Sequence, residues 1–442
     1  MDNVEKNTAL VDKKTICFVS LTLKTNLTIM SEYINNTEQR IDELYIFSKG
    51  IINKEKGIDL IKKHEQAIDN VQAFDVVDIV DRLVKDQVNL EELKTGINKI
   101  LNMFYKGLIN QQIPEYNKIP FLASLWNENN ELNTRLINLR PLIKKLNSKD
   151  NSDAEFSNVL KEIGSKVSEL TTFEAHYIKK ENILFPYVEK QLPEYRCQSV
   201  MWSYHDDIRQ YIKDITILSQ EQSPDMKVLN RRIGDLFFAM YAIRFREEYI
   251  LFPVISKLIS DDEWTDMQLQ SYEVGFAFIS PPDKAKKKKP TAEKTNISKQ
   301  IISINDFADS LVDLSTGQLS IEQIILMINN LPVDITFVDE NDEVRYFSTP
   351  NHRIFPRSKA IIGRLVENCH PPSSVHIVKD LIDAFKSGKK DQESFWIEMG
   401  DKFILIRYYA LRNESGNYKG TLEVSEEVSS IRKLTGEKRL IE

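Results

Sequence analysis

The sequence predicts a multidomain protein, with an all-α N-terminal half followed by a C-terminal α+β sheet domain. Three observations carry that prediction. Apolar residues recur at helical spacing through the first part of the chain. An octapeptide, KKENILFP at 179–186, returns as REEYILFP at 246–253. Beyond residue 330 the periodicity changes from helical to alternating.

Composition narrows the class. The chain has 442 residues, of which 41% are hydrophobic and 28% charged, the balance of an ordinary globular protein. A net charge of −7 argues against general nucleic-acid binding. Glycine numbers only 14, and no GxGxxG or GxxxxGK run exists, so a dinucleotide fold or P-loop has no basis. Cys17, Cys197 and Cys369 form no CxxC pair, which argues against a disulfide framework or zinc knuckle and fits a reducing compartment. The apolar run Ile16 to Leu23 is too short to span a bilayer and lacks a secretory cleavage pattern. The expectation is a cytoplasmic protein without membrane insertion.

Residues 1–29 are weakly patterned and read as an N-terminal extension ahead of Met30. From there to residue 112 short helices follow one another, with Ile41, Leu44 and Tyr45 at i, i+3, i+4, then Leu60, Ile61 and His64 at i, i+1, i+4. Residues 113–280 hold four longer helical segments, 122–146, 156–184, 200–218 and 226–258, the pattern of an antiparallel bundle. The repeated octapeptide closes the second and fourth of them, each copy ending in an expected helix-stopping proline, Pro186 or Pro253. DDEWTDMQLQSYEVGFAF at 261–278 reads as a capping helix. The lysine-rich stretch within 281–318 reads as a solvated linker, with contact to an anionic surface as the alternative. In 319–435, DITFVDENDEVRYFS is a hairpin, 377–385 a helix, and 394–399, 403–411 and 419–426 three more strands.

In this order the segments resemble a bacterial family built around a domain of unknown function, numbered 438. Its members join that helical domain to a hemerythrin/HHE-type bundle and a C-terminal PAS domain. MSEYINN and its helices are similar to the first domain. HYIKKENILFP, MWSYHDDIR and REEYILFP are similar to the bundle. LPVDITFVDENDEVRYFS, ENCHPPSSVHIV and RYYALRNESGNYKGTLEV are similar to the PAS domain. The resemblance implies a small helical domain over 30–112, a bundle over 113–280, a linker over 281–318 and a PAS domain over 319–435.

Hemerythrin-like bundles hold non-heme iron between inward-facing histidines and carboxylates. The resemblance therefore points to His176, Glu181, His205, Glu247 and Glu248 as metal ligands, with Glu128 as a further candidate. The residues depart from that pattern. The bundle holds only His176 and His205, Lys180 stands four residues after His176, and Glu181 lies about 140° around an ideal helix from it. Two readings stand: a bundle holding one or two iron ions, and a metal-free bundle whose buried acids are matched by Lys180 and Arg246. In the PAS segment, Cys369, His370 and His376 are the candidate pocket residues. Histidine and thiolate are heme-ligand types, so heme, another small molecule or an empty interaction domain all remain open. Function follows as a sensor of a small-molecule, gas or redox signal, dimeric through PAS and acting on a separate output protein. The alternative is a di-iron enzyme or iron-handling protein.

Overall fold

A computed structural model describes residues 36–86, 90–148, 152–192, 197–283, 311–351 and 353–438. The N-terminal extension, the lysine run of the linker, Cys17 and His352 lie outside the described residues. The described residues form two compact units. The first runs to Ile113 and includes Phe245–Val254; the second comprises Pro114–Arg244 and the chain from Ile255 onward.

In the first unit, α1 (36–52), α2 (Gly57–Asp69), α3 (Ala73–Lys85) and α4 (Leu90–Asn110) bury one stripe each. Leu44 and Phe47 of α1, Ile79 and Leu83 of α3 and Phe104 and Leu108 of α4 make its core, with Phe47 and Phe104 in ring contact at 5.7 Å. Gln72 and Asp75 form a reciprocal capping box at the start of α3, and Asp75 also takes a two-pronged ion pair from Arg40.

The second unit contains the bundle helices. They are α5 (Pro120–Leu146), α6 (Asp153–Glu169), α7 (Glu174–Lys179), α8 (Phe185–Gln191), α9 (Cys197–Leu218) and α10 (Met226–Arg246). Pro120 occupies the first turn of α5, where its missing N–H costs nothing. Asn147 at the end of α5 exchanges amide bonds with Asn230 of α10, and Arg232 of α10 pairs with Asp214 of α9. A 3₁₀ turn (Leu170–Phe173) joins α6 to α7, and a π-turn (Lys180–Leu184) joins α7 to α8. Short α11 (Phe252–Ile255) likewise follows α10 through a π-turn (Glu247–Leu251).

Neither repeated proline stops its helix, contrary to the sequence expectation. The helical course continues through Pro186 and Pro253, because the widened turn ahead of each ring absorbs the missing donor and the clash with the carbonyl four residues back. Then α12 (Asp261–Val274) opens with a Ser260/Glu263 capping box and ends at Gly275, whose φ of 95° turns the chain sharply.

The C-terminal part of the second unit begins with a small ribbon of β1 (Leu311–Asp313) and β2 (Gln318–Ser320), then α13 (Ile321–Asn329). A five-stranded antiparallel sheet follows, built from β3 (Asp334–Asp339), β4 (Val344–Phe347), β5 (Gln392–Met399), β6 (Lys402–Arg412) and β7 (Tyr418–Glu427). Its order is β4-β3-β7-β6-β5, and α14 (Val375–Lys386) lies between β4 and β5 in sequence. The Asp339 carboxylate accepts from the Asn341 and Glu343 amides, fixing the β3–β4 turn. The helical N-terminal half and the sheet domain are the predicted fold class.

Gly420 shows how tightly the sheet is closed. Its φ is +142°, and a β-carbon there would strike the Val338 carbonyl and come within 2.6 Å of the Phe337 ring. Gly420→Ala is expected to lower stability by about 2–4 kcal/mol in urea unfolding. A loss under about 0.5 kcal/mol would show that β3 and β7 yield freely.

Candidate functional site

The bundle interior gathers two adjacent acid–imidazole–ammonium groups. In the first, fully buried His176 of α7 places Nδ1 2.8 Å from Glu128 Oε2 of α5. The other oxygen of Glu128 accepts from the Lys179 ammonium and, at 2.8 Å, from the main-chain N–H of Ala277 just beyond α12. The Lys179 ammonium also sits 4.5 Å from the Phe276 ring centre, and Phe173 stacks on His176 at 4.4 Å. Burial pushes the Glu128 carboxyl up, but His176 and Lys179 together hold it below its ordinary value. Burial lowers the Lys179 ammonium against the pull of Glu128.

In the second group, His205 of α9 places Nδ1 2.7 Å from Glu181 Oε1, and Lys180 Nζ lies 2.9 Å from His205 Nε2. An ammonium only donates, so Nε2 accepts and Nδ1 carries the proton given to Glu181. Arg209, one turn along α9, donates to both Glu181 oxygens at 3.0 and 3.1 Å, and also to Glu174 and Asp206. Burial first, then Lys180 and Arg209, drive His205 well below its ordinary pKa, so it stays neutral. Burial raises Glu181 to about 8 against the pull of Arg209. Burial opposes the Arg209 charge, but Glu181, Glu174 and Asp206 more than offset it. The Tyr177 ring bridges the groups, stacked on His205 at 4.3 Å and edge-on to His176 at 6.0 Å.

His176 and Glu181 therefore turn to different partners rather than to one centre. The π-turn replaces the 100° step assumed along an ideal helix and directs Glu181 to α9. Glu247 and Glu248 lie in the matching π-turn of the first unit, and both are buried. Sequence reasoning reaches Glu128, Lys180 and the acids but passes over Lys179 and Arg209. The available signal was helical spacing: Lys179 is three residues after His176, and Arg209 four after His205.

These residues do not fit a metal centre. Lys179 donates to Glu128 and Lys180 to His205 Nε2, the lone pairs an ion would use. A buried ammonium beside a metal cation would add strong like-charge repulsion. Among the described residues no three or more His, Cys, Asp or Glu side chains converge as a metal-holding group.

The sheet domain presents a second cluster. Cys369 packs against Val338, Val344 and Ile361, and burial raises its thiol. Neighbouring His370 is partly buried; burial, then Arg357 and Arg364, push its imidazole down to about 4. Thiol and imidazole are thus both neutral near pH 7. Tyr408 and Glu423 face each other across β6 and β7, and Arg357 lies 3.5 Å from Glu423. His376 does not join them: it is exposed at the start of α14, where the sequence allowed a pocket position.

Two family models match parts of the chain. The family model described as hemerythrin HHE cation binding domain matches residues 120–255, and a PAS domain model matches 324–429. No curated protein matches. Among solved structures, a C-terminal domain from Streptococcus mutans is 30% identical over 28% of this chain and 98% of its own, with a TM-score of 0.28. A PAS domain from Colwellia psychrerythraea is 18% identical over 25% of this chain and 97% of its own, TM-score 0.21. A sensory box sensor histidine kinase from Vibrio cholerae is 13% identical over 24% of this chain and 92% of its own, TM-score 0.19. Among the described residues no helix is long and apolar enough to cross a membrane.

Proposed function

We propose that this chain, in which a hemerythrin HHE-type domain precedes a PAS domain, is a cytoplasmic sensory protein rather than an enzyme. Its bundle holds lysine ammonium groups against the metal-type donors, and its PAS domain takes the signal. The observation that carries the reading is the pair of contacts from Lys179 to Glu128 and from Lys180 to His205 Nε2. They supply fixed positive charge to the acids without a metal, which leaves the bundle a structural and relaying role. The half-buried region around Cys369 and His370 is the place for a small-molecule, gas or redox signal, with heme the less favoured ligand. PAS domains commonly pair, so the working species is a homodimer, acting on a separate output protein and not on nucleic acid. Domain boundaries at 30–112, 113–280, 281–318 and 319–435, and kinship with the domain of unknown function numbered 438, belong to the same proposal.

One observation favours a second reading. The match over 120–255 is to a cation-binding family, so a di-iron enzyme or iron-handling protein is the alternative, with His176, Glu181 and His205 of the second unit among its donors. Elemental analysis with an absorption spectrum, on untagged protein purified without oxygen, separates the two. The lysine reading expects no stoichiometric metal. About two irons per chain, lost in His176→Ala or His205→Ala, would overturn it.

A further inference from the structure

Pro186 leaves an unsettled account in the backbone. Within the π-turn the Phe185 N–H donates back to the Lys180 carbonyl, and Pro186 has no N–H to give. Glu181 O therefore has neither its α-type nor its π-type donor, and Asn182 O loses the α-type donor it would have taken from Pro186. The PAS domain supplies both. Arg364 Nη1 donates to Glu181 O at 2.9 Å, and the Ser358 hydroxyl donates to Asn182 O. Asn182 returns an amide bond to Pro356 O at 3.2 Å, and the Ala360 N–H meets Gln270 of α12 at 3.3 Å.

Arg364 is built in firmly. Its side chain is 3% exposed, it grips Glu189 of α8 with two bonds of 2.8 and 2.7 Å, and it lies 5.9 Å from the Trp202 ring on α9. Glu181 is thus held at both ends, its carboxylate by His205 and Arg209 and its carbonyl by Arg364. The second octapeptide repeats the device within the first unit. Phe252 N–H donates to Glu247 O, Pro253 has none to give, and the Tyr249 carbonyl, counterpart of Asn182, takes a side-chain amide from Gln111 at 2.5 Å.

We infer that the proline-freed carbonyls of the first π-turn are the joint through which the PAS domain and the buried His205–Glu181–Arg209 network act on each other, with Arg364 as the coupling residue. This inference rests on the sensory reading for its purpose, but its test uses no signal, so the two stand or fall separately. Amide hydrogen exchange is measured by mass spectrometry on the full chain. Arg364→Gln is expected to speed exchange across 181–188 about tenfold while β6 and β7 change by less than about twofold. Ser358→Ala gives a smaller rise in the same segment. Because coupling is reciprocal, Glu181→Gln must alter exchange across 358–366. Should Arg364→Gln loosen the whole chain, Ser358→Ala and Glu181→Gln decide. Exchange across 181–188 unchanged in Ser358→Ala, or across 358–366 unchanged in Glu181→Gln, overturns the inference.

Discussion

Lys179→Met is expected to cost about 3–5 kcal/mol, seen as a lowered urea midpoint at an unchanged slope. Lys179 and Glu128 both have fully buried side chains, so removing the cation strands a carboxylate in the bundle. His176 and the Ala277 N–H still bond it, yet neither carries a fixed charge. The companion change Lys179→Met with Glu128→Gln removes the stranded charge and is expected to recover part of the loss. A loss below about 1 kcal/mol for the single variant would mean that Glu128 is buried in its protonated form.

Between pH 6.5 and 8 the protein is expected to lose stability as pH rises, and Glu181→Gln to abolish that loss. Burial raises Glu181 from an ordinary 4.5 to about 8, so in this window the folded state binds a proton the unfolded state has released. Stability then falls with pH, by up to about 1.4 kcal/mol per unit. Below pH 6.5 the trend is masked by His205, which has the opposite sign: its lowered pKa adds stability that disappears as pH falls below the ordinary histidine range. Urea midpoints across the window, wild type against Glu181→Gln, give the answer. Parallel curves would show that Arg209 keeps Glu181 ionised.

Much of this architecture was legible in the chain. The hairpin at 334–348 declared itself through alternating residues around an acidic turn, and β3 and β4 occupy 334–339 and 344–347. The bundle helices followed from apolar spacing, which neighbouring residues alone decide. The candidate site was less legible. Its acids and imidazoles could be named, but their pairing could not, because a π-turn has no signature at a 3.6-residue period. The repeated ILFP announced that something recurs, and the proline suggested an end where the helix in fact runs on. Lys179 drew no reading from the sequence. Only the fold reveals that α5 offers it a buried carboxylate. Arg364 lies more than 180 positions from the carbonyl it serves, a distance at which no local pattern speaks.

The two internal ammonium groups also bear on how the molecule matures. A cofactor-dependent bundle exists in loaded and empty forms, and its folding free energy carries a mass-action term in the concentration of free ion. Here the balancing cations are tethered to the backbone and arrive with translation. On the lysine reading proposed above, the bundle reaches its final state without a loading step, and its abundance is expected not to follow the supply of iron.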